Sequence, residues 1–240
     1  MVKRAIVVGA SSGIGRALAK LLARQGYAVG LAARREALLR ELQAEIGAAA
    51  RVKLIDVAAP DRAMPQLAEL IAEMDGVDLV VLNSGAGHRN PDLDWELERE
   101  PIDVNVSGFT AMANVAMRHF LQRGAGHLVS ISSIAGLRGS RIAPAYAASK
   151  AFVSTYTYGL RCRVKRLGLP ITVTDIQPGF VDTAMGRSEG AFWVASPEVA
   201  AEQIFTAIRR RKEHAYITRR WRLIAWVMKL APDWLYYRLG

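Results

Sequence analysis

Tyr146 and Lys150 stand four residues apart near the start of a stretch, residues 145–167, whose pattern predicts a helix. Side chains at i and i+4 share a helix face, so a phenol and an ammonium are turned to the same side. Free tyrosine, with a pKa of about 10, is a poor base at neutral pH. A neighbouring cation favours the phenolate; lowering the pKa by roughly three units corresponds to about 4 kcal/mol. A phenol so tuned exchanges a proton with an alcohol or carbonyl near neutrality. Ser133 follows a predicted strand over 127–132, thirteen residues before Tyr146. Its hydroxyl can donate to a carbonyl oxygen as charge builds there. Asn105 lies in a predicted helical region over 102–122. The Tyr/Lys spacing alone arises by chance in a chain with seven of each residue, and its weight comes from this company.

A proton-transfer group needs something to react with, and the first residues supply a candidate. Residues 5–8 form a short apolar, β-branched run, followed by Gly9-Ala-Ser11-Ser12-Gly13-Ile14-Gly15. Ile14, Ala17, Leu18, Leu21 and Leu22 then recur at helical spacing. A strand that turns into a helix through glycines makes an anion cradle, because the glycines admit close backbone approach and the first N–H groups of the helix point at the ligand. The spacing Gly-x-x-x-Gly-x-Gly predicts a dinucleotide clamp rather than a bare turn. At the end of the second predicted strand, 27–33, stand Arg34 and Arg35, where a NAD site carries an acid for the ribose hydroxyl. Paired guanidinium groups suit a 2′-phosphate, which favours NADP(H), with NAD as the alternative.

The elements that must hold these residues alternate regularly. Helix patterns over 36–46, around Leu67 to Ile71, and over 102–122 and 145–167 separate strands over 52–57, 78–82, 127–132 and 171–176. Ser196 caps a helix with Pro197 in its first position that runs to about residue 211, and residues 215–218 make a short seventh strand. Near-continuous apolar strands alternating with helices predict an α/β, Rossmann-type doubly wound parallel sheet of about seven strands with helices on both faces. Ligands in such sheets lie beyond the carboxyl ends of the strands, which gathers Gly9, Arg34, Asp56, Asn83, Ser132 and Pro178 along one edge. No linker or repeat divides the 240 residues, so one dinucleotide-binding and catalytic domain is expected over 1–218, with 219–240 as its basic, Trp-rich helical extension.

In this order and spacing the motifs are specific. The sequence resembles the single-domain short-chain dehydrogenase/reductase family up to about Thr218. The resemblance rests on Gly9 to Gly15, Asn83-Ser-Gly-Ala-Gly87, Asn105-Val-Ser-Gly108, Ser133, Tyr146-Ala-Ala-Ser-Lys150 and Pro178-Gly-Phe-Val-Asp-Thr183. It implies that Tyr146 is the general acid in reduction and the base in oxidation. Lys150 would hold the nicotinamide ribose and lower the Tyr146 pKa. Ser133 and Tyr146 would bind the substrate oxygen, and Asn105 would hold a water in a proton relay from Lys150. The stretch containing Gly9, Ser11, Ser12, Gly13, Ile14 and Gly15 would cradle the pyrophosphate. Asp56 and Val57 would contact adenine, and Asn83 and Gly85 would line the cleft. Pro178, Gly179, Val181 and Thr183 would fix the nicotinamide. Two departures stand out: Val8 replaces the usual Thr before the first glycine, and Asn83-Ser84-Gly85-Ala86 replaces Asn-Asn-Ala-Gly.

Composition bounds the rest. With 51% apolar residues the chain can bury a large core. Its one cysteine, Cys162, forms no internal disulfide and fits a reducing, cytoplasmic setting; a strand within a few residues of Met1 leaves no room for a signal peptide. His88, His119, His127 and His214 share no ligand spacing, so no metal is expected. The net charge is +10, of which residues 209–240, with nine Lys/Arg and two Asp/Glu, hold +7. Nothing in this tail matches a nucleic-acid recognition motif. Trp221, Ile224, Ala225, Met228 and Ala231 fall at helical spacing, and Pro232 ends the pattern. The tail suits packing over the substrate pocket or on another subunit, in a homodimer or homotetramer, and secondarily a peripheral membrane contact through 219–240. Met185, Phe192 and Trp193, in a segment expected to lie over the pocket, point to an apolar alcohol or carbonyl substrate.

Overall fold

The computed structural model describes residues 2–183 and 192–239. Seven parallel strands form one sheet in the order β3-β2-β1-β4-β5-β6-β7. The strands are β1 (Arg4–Val8), β2 (Ala28–Ala33), β3 (Ala50–Leu54), β4 (Leu79–Leu82), β5 (Gly126–Ile131), β6 (Ile171–Pro178) and β7 (His214–Ile217). The helices are α1 (Gly13–Arg24), α2 (Glu36–Ile46), α3 (Pro60–Glu73), α4 (Trp95–Ile102), α5 (Phe109–Arg123), α6 (Pro144–Arg166), α7 (Pro197–Arg209), α8 (Trp221–Leu230) and α9 (Asp233–Leu239). This is a doubly wound, Rossmann-like α/β fold.

The central strands are apolar on both faces because both faces are covered. Val7, Leu31 and Val129 pack under α1, α2 and α7, which contribute Leu18, Leu22, Leu39, Leu42 and Ile204. Ile6, Val80 and Leu128 pack under α3, α5 and α6, through Leu67, Leu70, Met112, Phe120 and Val153. The strand order reverses between β1 and β4, the two strands that flank the switch point. The carboxyl ends of β1 and β4 therefore open a crevice, where such sheets bind ligands.

Four elements differ from the sequence expectation. The third strand lies at 50–54 rather than 52–57. It is an edge strand paired only to β2, and the chain leaves it where the Asp56 carboxylate accepts a hydrogen bond from Ala58 N at 3.1 Å. The helical region expected from Ile102 begins at Trp95, capped by Asp94, whose Oδ1 accepts from Glu96 N at 2.9 Å. Its first turns, Trp-Glu-Leu-Glu-Arg-Glu-Pro, lack an apolar stripe and gave no periodic signal. Between α4 and α5, Asp103–Gly108 forms a π-helical turn, a feature that gathers at functional sites. The sixth strand runs on to Pro178, two residues past its expected end.

Candidate active site

The crevice starts from glycine. Gly9 has φ +90°, and a Cβ there would lie 2.6 Å from Ser84 N; a Cβ on Gly15 would lie 2.1 Å from the Gly9 carbonyl. Both positions therefore exclude any side chain. Asn83 Nδ2 donates to the Gly9 carbonyl at 2.9 Å, tying the first turn to the end of β4. Gly13, at φ +54°, lies against the Thr183 methyl, 2.8 Å from where its Cβ would be. The N-terminus of α1 opens within this loop. Its cap residue, Ser12, makes no side-chain capping bond, and no acid stands in the first turn. Instead Arg35 donates to Ser11 Oγ at 2.9 Å and to Ser12 Oγ at 2.6 Å. A helix N-terminus with a guanidinium beside it, over a floor that admits no side chains, fits a pyrophosphate and an additional phosphate.

The two arginines part company. Arg35 turns to the glycine loop, whereas Arg34 turns to Glu100 at 3.4 Å, which also takes His88. Asp56 and Val57 follow β3 near the same edge, with Val57 buried and its carbonyl against Gly108. Gly85 lies in the irregular segment that follows β4.

The four candidate catalytic residues come together from three elements. Lys150 and Tyr146 project from α6, Ser133 follows β5, and Asn105 sits in the π-helical turn. The Ser133 hydroxyl, whose Oγ accepts from Ala135 N at 3.1 Å, lies close enough to the Tyr146 phenol to influence its titration. The 3-10 turn that carries Ser133, Ile134–Leu137, is pressed onto α6 at Gly136, where a Cβ would stand 2.6 Å from Ala151 N. Gly87 makes room for the Tyr146 ring, since a Cβ there would lie 2.4 Å from it. Desolvation pushes the Tyr146 phenol above its usual range, and the nearby Ser133 hydroxyl pulls it partly back. Burial also lowers Lys150 to about 8, against the upward pull of Asp175. Lys150 Nζ donates to the Ile131 carbonyl at 3.1 Å and lies 5.9 Å from the Tyr146 ring centre.

The Lys150 ammonium is directed at β5, and desolvation is the dominant influence on the Tyr146 phenol. The Asn105 side chain is a brace. Its Oδ1 accepts from Ala86 N at 2.9 Å, while both amide hydrogens are committed, to Ala86 O at 2.7 Å and Ser149 Oγ at 2.9 Å. Ser149 Oγ in turn donates to the Tyr146 carbonyl, so Asn105 ties the turn after β4 to the helix bearing the phenol.

Sequence reading missed three residues. Glu98 Oε2 accepts from Ala145 N at 2.9 Å, so a carboxylate from α4 caps the helix on which Tyr146 stands. Asp175, buried in β6, accepts from Ser132 Oγ at 2.5 Å and from Gln177 Nε2 at 2.9 Å. An acid inside an apolar strand was the available signal. Arg138 holds the tail, donating to Met228 O at 2.7 Å and to Asp233 Oδ1 at 2.5 Å. Gly179, at the end of β6, abuts Trp221, whose ring would lie 2.2 Å from a Cβ there. Phe180, Phe192 and Trp193 surround the same ring. Val181 is buried, with a bridge to Ala195. Met185 lies outside the described residues.

The sequence model of the short chain dehydrogenase family matches residues 3–192. The chain belongs to that family. It is 42% identical over 188 residues to an uncharacterized oxidoreductase of Myxococcus xanthus, covering 76% of this chain and 74% of the relative. It is 32% identical over 224 residues to one of Mycobacterium tuberculosis, covering 90% and 88%. Serine dehydrogenase from Escherichia coli matches with a TM-score of 0.74 at 29% identity, over 85% of this chain and 90% of that one. An actinorhodin polyketide ketoreductase solved with NADPH matches at 0.78 and 28%, over 86% and 90%. Family membership makes the chain an oxidoreductase, and α8 and α9 lie beyond the family match.

Proposed function

We propose that the protein is an NADP(H)-dependent oxidoreductase that interconverts a secondary alcohol and a carbonyl compound, with Tyr146 as the proton donor and acceptor. The observation that carries this reading is the Tyr146 phenol: half-buried, beside the Ser133 hydroxyl that draws its pKa down, and on the helix that also bears Lys150. The neighbours lend support, since the ketoreductase was solved with NADPH and a closed serine dehydrogenase with NADP+. A 3-ketoacyl-(acyl-carrier-protein) reductase from Brucella melitensis was solved with NADH, so coenzyme preference turns on this chain's own residues.

Gly9, Ser11, Ser12, Gly13, Ile14 and Gly15 would hold the pyrophosphate, and Arg35 the 2′-phosphate. Asp56 and Val57 would face adenine. Asn83 and Gly85 would line the cleft, Lys150 would hold the nicotinamide ribose, and Pro178, Gly179, Val181 and Thr183 the nicotinamide. When bound, the nicotinamide supplies or takes the hydride. The chain handles the proton. The Tyr146 phenol, raised further above its usual range by desolvation, is protonated at neutral pH, which suits a general acid in reduction. Ser133 donates to the substrate oxygen as negative charge gathers there, and Tyr146 delivers its proton to the same atom. In oxidation the Tyr146 phenolate takes that proton back. The buried Lys150 ammonium favours the phenolate once it faces the ring, and its own titration near 8 lets it stay charged at neutral pH.

A screen of alcohols and ketones, read by NADPH absorbance, tests the activity. Tyr146→Phe keeps the ring and removes the proton. It should bind NADPH within about twofold of wild type and lose turnover by roughly a hundredfold or more. Turnover within tenfold of wild type would overturn the role.

A further inference from the structure

The tail is two-sided. Trp221 and Ala225 of α8 are buried, with Ile224 and Met228 half-buried beside them. Leu223, Trp226, Val227 and Leu230 recur at i, i+3, i+4 and i+7 on the other side, and stand 64%, 61%, 62% and 79% exposed. Trp234 and Tyr237 of α9 are exposed as well, at 62% and 78%. Six large apolar or aromatic side chains in open water, on two consecutive helices, mark an interaction surface.

The charges around it identify the partner. Residues 219–238 carry Arg219, Arg220, Arg222, Lys229 and Arg238 against the single acid Asp233, and that acid is paired with Arg138. On α8, Arg222 and Lys229 lie between the buried and outward faces, where their stems can run along the apolar surface while the charges reach outward. Arg238 lies over the Trp234 ring, 5.9 Å from its centre, pairing cation and indole. Tryptophans with flanking cations suit a helix lying in a lipid interface, its apolar face among the acyl chains and its cations among phosphates. A second copy fits poorly, because a two-fold contact would set this excess of cations against itself. Nucleic acid would meet the cations and leave Leu223, Val227 and Leu230 without a role.

We propose that α8 and α9 dock this protein, from outside, on an anionic lipid surface. Among the described residues no helix is long and apolar enough to cross a membrane, so the contact is peripheral. The inference does not depend on the reaction. It has a geometric consequence for it: Trp221 abuts Gly179 at the end of β6, and Arg138 joins the tail to the turn following Ser133, so docking brings the catalytic edge to the lipid.

The full chain is sedimented with large unilamellar vesicles of phosphatidylcholine alone or with 30% phosphatidylglycerol, a composition about as anionic as the test requires. Binding to the mixed vesicles, at least roughly tenfold weaker on phosphatidylcholine alone and largely lost in about 0.5 M NaCl, is expected. Trp226→Ala/Leu230→Ala should abolish binding, and Arg222→Glu/Lys229→Glu should weaken it by roughly fivefold or more per charge. Unchanged circular dichroism and melting temperature show that each variant is folded. Failure to bind either vesicle, equal binding to both, or undiminished binding by the folded variants would overturn the proposal. So would self-association in sedimentation velocity that disappears in Trp226→Ala/Leu230→Ala while vesicles remain unbound.

Discussion

At the scale of single residues, side-chain direction decides what sequence position leaves open. Arg34 and Arg35 are adjacent and equally basic, and the sequence gives no ground for choosing between them. Successive side chains leaving a strand point to opposite sides. One guanidinium meets Ser11 and Ser12 over the glycine loop, and the other meets Glu100. Only Arg35 is placed to meet an extra phosphate there. A charge-assisted pair of this kind contributes about 1.5–3 kcal/mol, which is roughly tenfold to a hundredfold in a dissociation constant. Arg35→Ala should therefore raise the NADPH dissociation constant by at least about tenfold and that of NADH by less than about twofold. Arg34→Ala should leave both nearly unchanged. Titration by nicotinamide fluorescence measures all four values, and equal weakening of the two coenzymes by Arg35→Ala would rule out the phosphate contact.

Elements transmit these placements, and here the sequence was legible in uneven measure. The α2 bounds agree with the expected 36–46, and Ser196 caps α7 through Val199 N as its residue type indicated. Both signals are local, and local signals survive folding. The shifted β3, the polar start of α4 and the π-helical turn depend on partners distant in sequence, which periodicity does not carry. The same holds within the site. Tyr146, Lys150, Ser133 and Asn105 were readable from type and spacing, whereas the Glu98 cap of α6 joins residues 47 apart. His127 illustrates how such a contact acts on an element. Its Nε2 meets Thr174 Oγ1 at 2.8 Å across the β5–β6 seam, while that hydroxyl donates onward to Lys212 O. The imidazole therefore donates, as a neutral ring. Burial first, and Arg211 second, lower its pKa to about 4. Between the unfolded value near 6.5 and that folded value, the unfolded chain binds the proton and the folded one does not, so stability falls as pH falls. By pH 4.5 this group should remove on the order of 2–3 kcal/mol. His127→Gln keeps a donor and does not titrate, so urea unfolding of the variant should lose that much less stability than wild type between pH 7 and 4.5. Parallel losses in the two proteins would show that the ring is not held neutral.

At the scale of the whole molecule, the chain joins a nearly balanced catalytic body to a strongly basic end. Residues 1–208 carry a net +3 and residues 209–240 a net +7. Among the described residues, α8 and α9 are attached to the body through the Trp221 ring, which lies over Gly179 and against Phe180, Phe192 and Trp193, the Arg138 bonds to Met228, Ala231 and Asp233, and the Tyr236 hydroxyl on the Gly139 carbonyl at 2.7 Å. Trp221 is the largest of the fully buried side chains, so its removal is the severest single change to that attachment. Trp→Ala in a core costs about 3–5 kcal/mol, but a peripheral element can detach locally instead of unfolding the whole. The sheet and the helices of both its faces do not rest on Trp221; α8 and the aromatic group of Phe180, Phe192 and Trp193 do. Trp221→Ala should therefore expose the arginines at 219, 220 and 222 to trypsin, with cleavage at least roughly tenfold faster than in wild type. The core, followed by circular dichroism of the cleaved protein, should keep its strands and helices. Since Trp221 also lies against the expected nicotinamide loop, the variant should lose affinity for apolar carbonyl substrates before it loses NADPH. Trypsin cleavage at the wild-type rate would mean that Trp221 is not what fastens the tail.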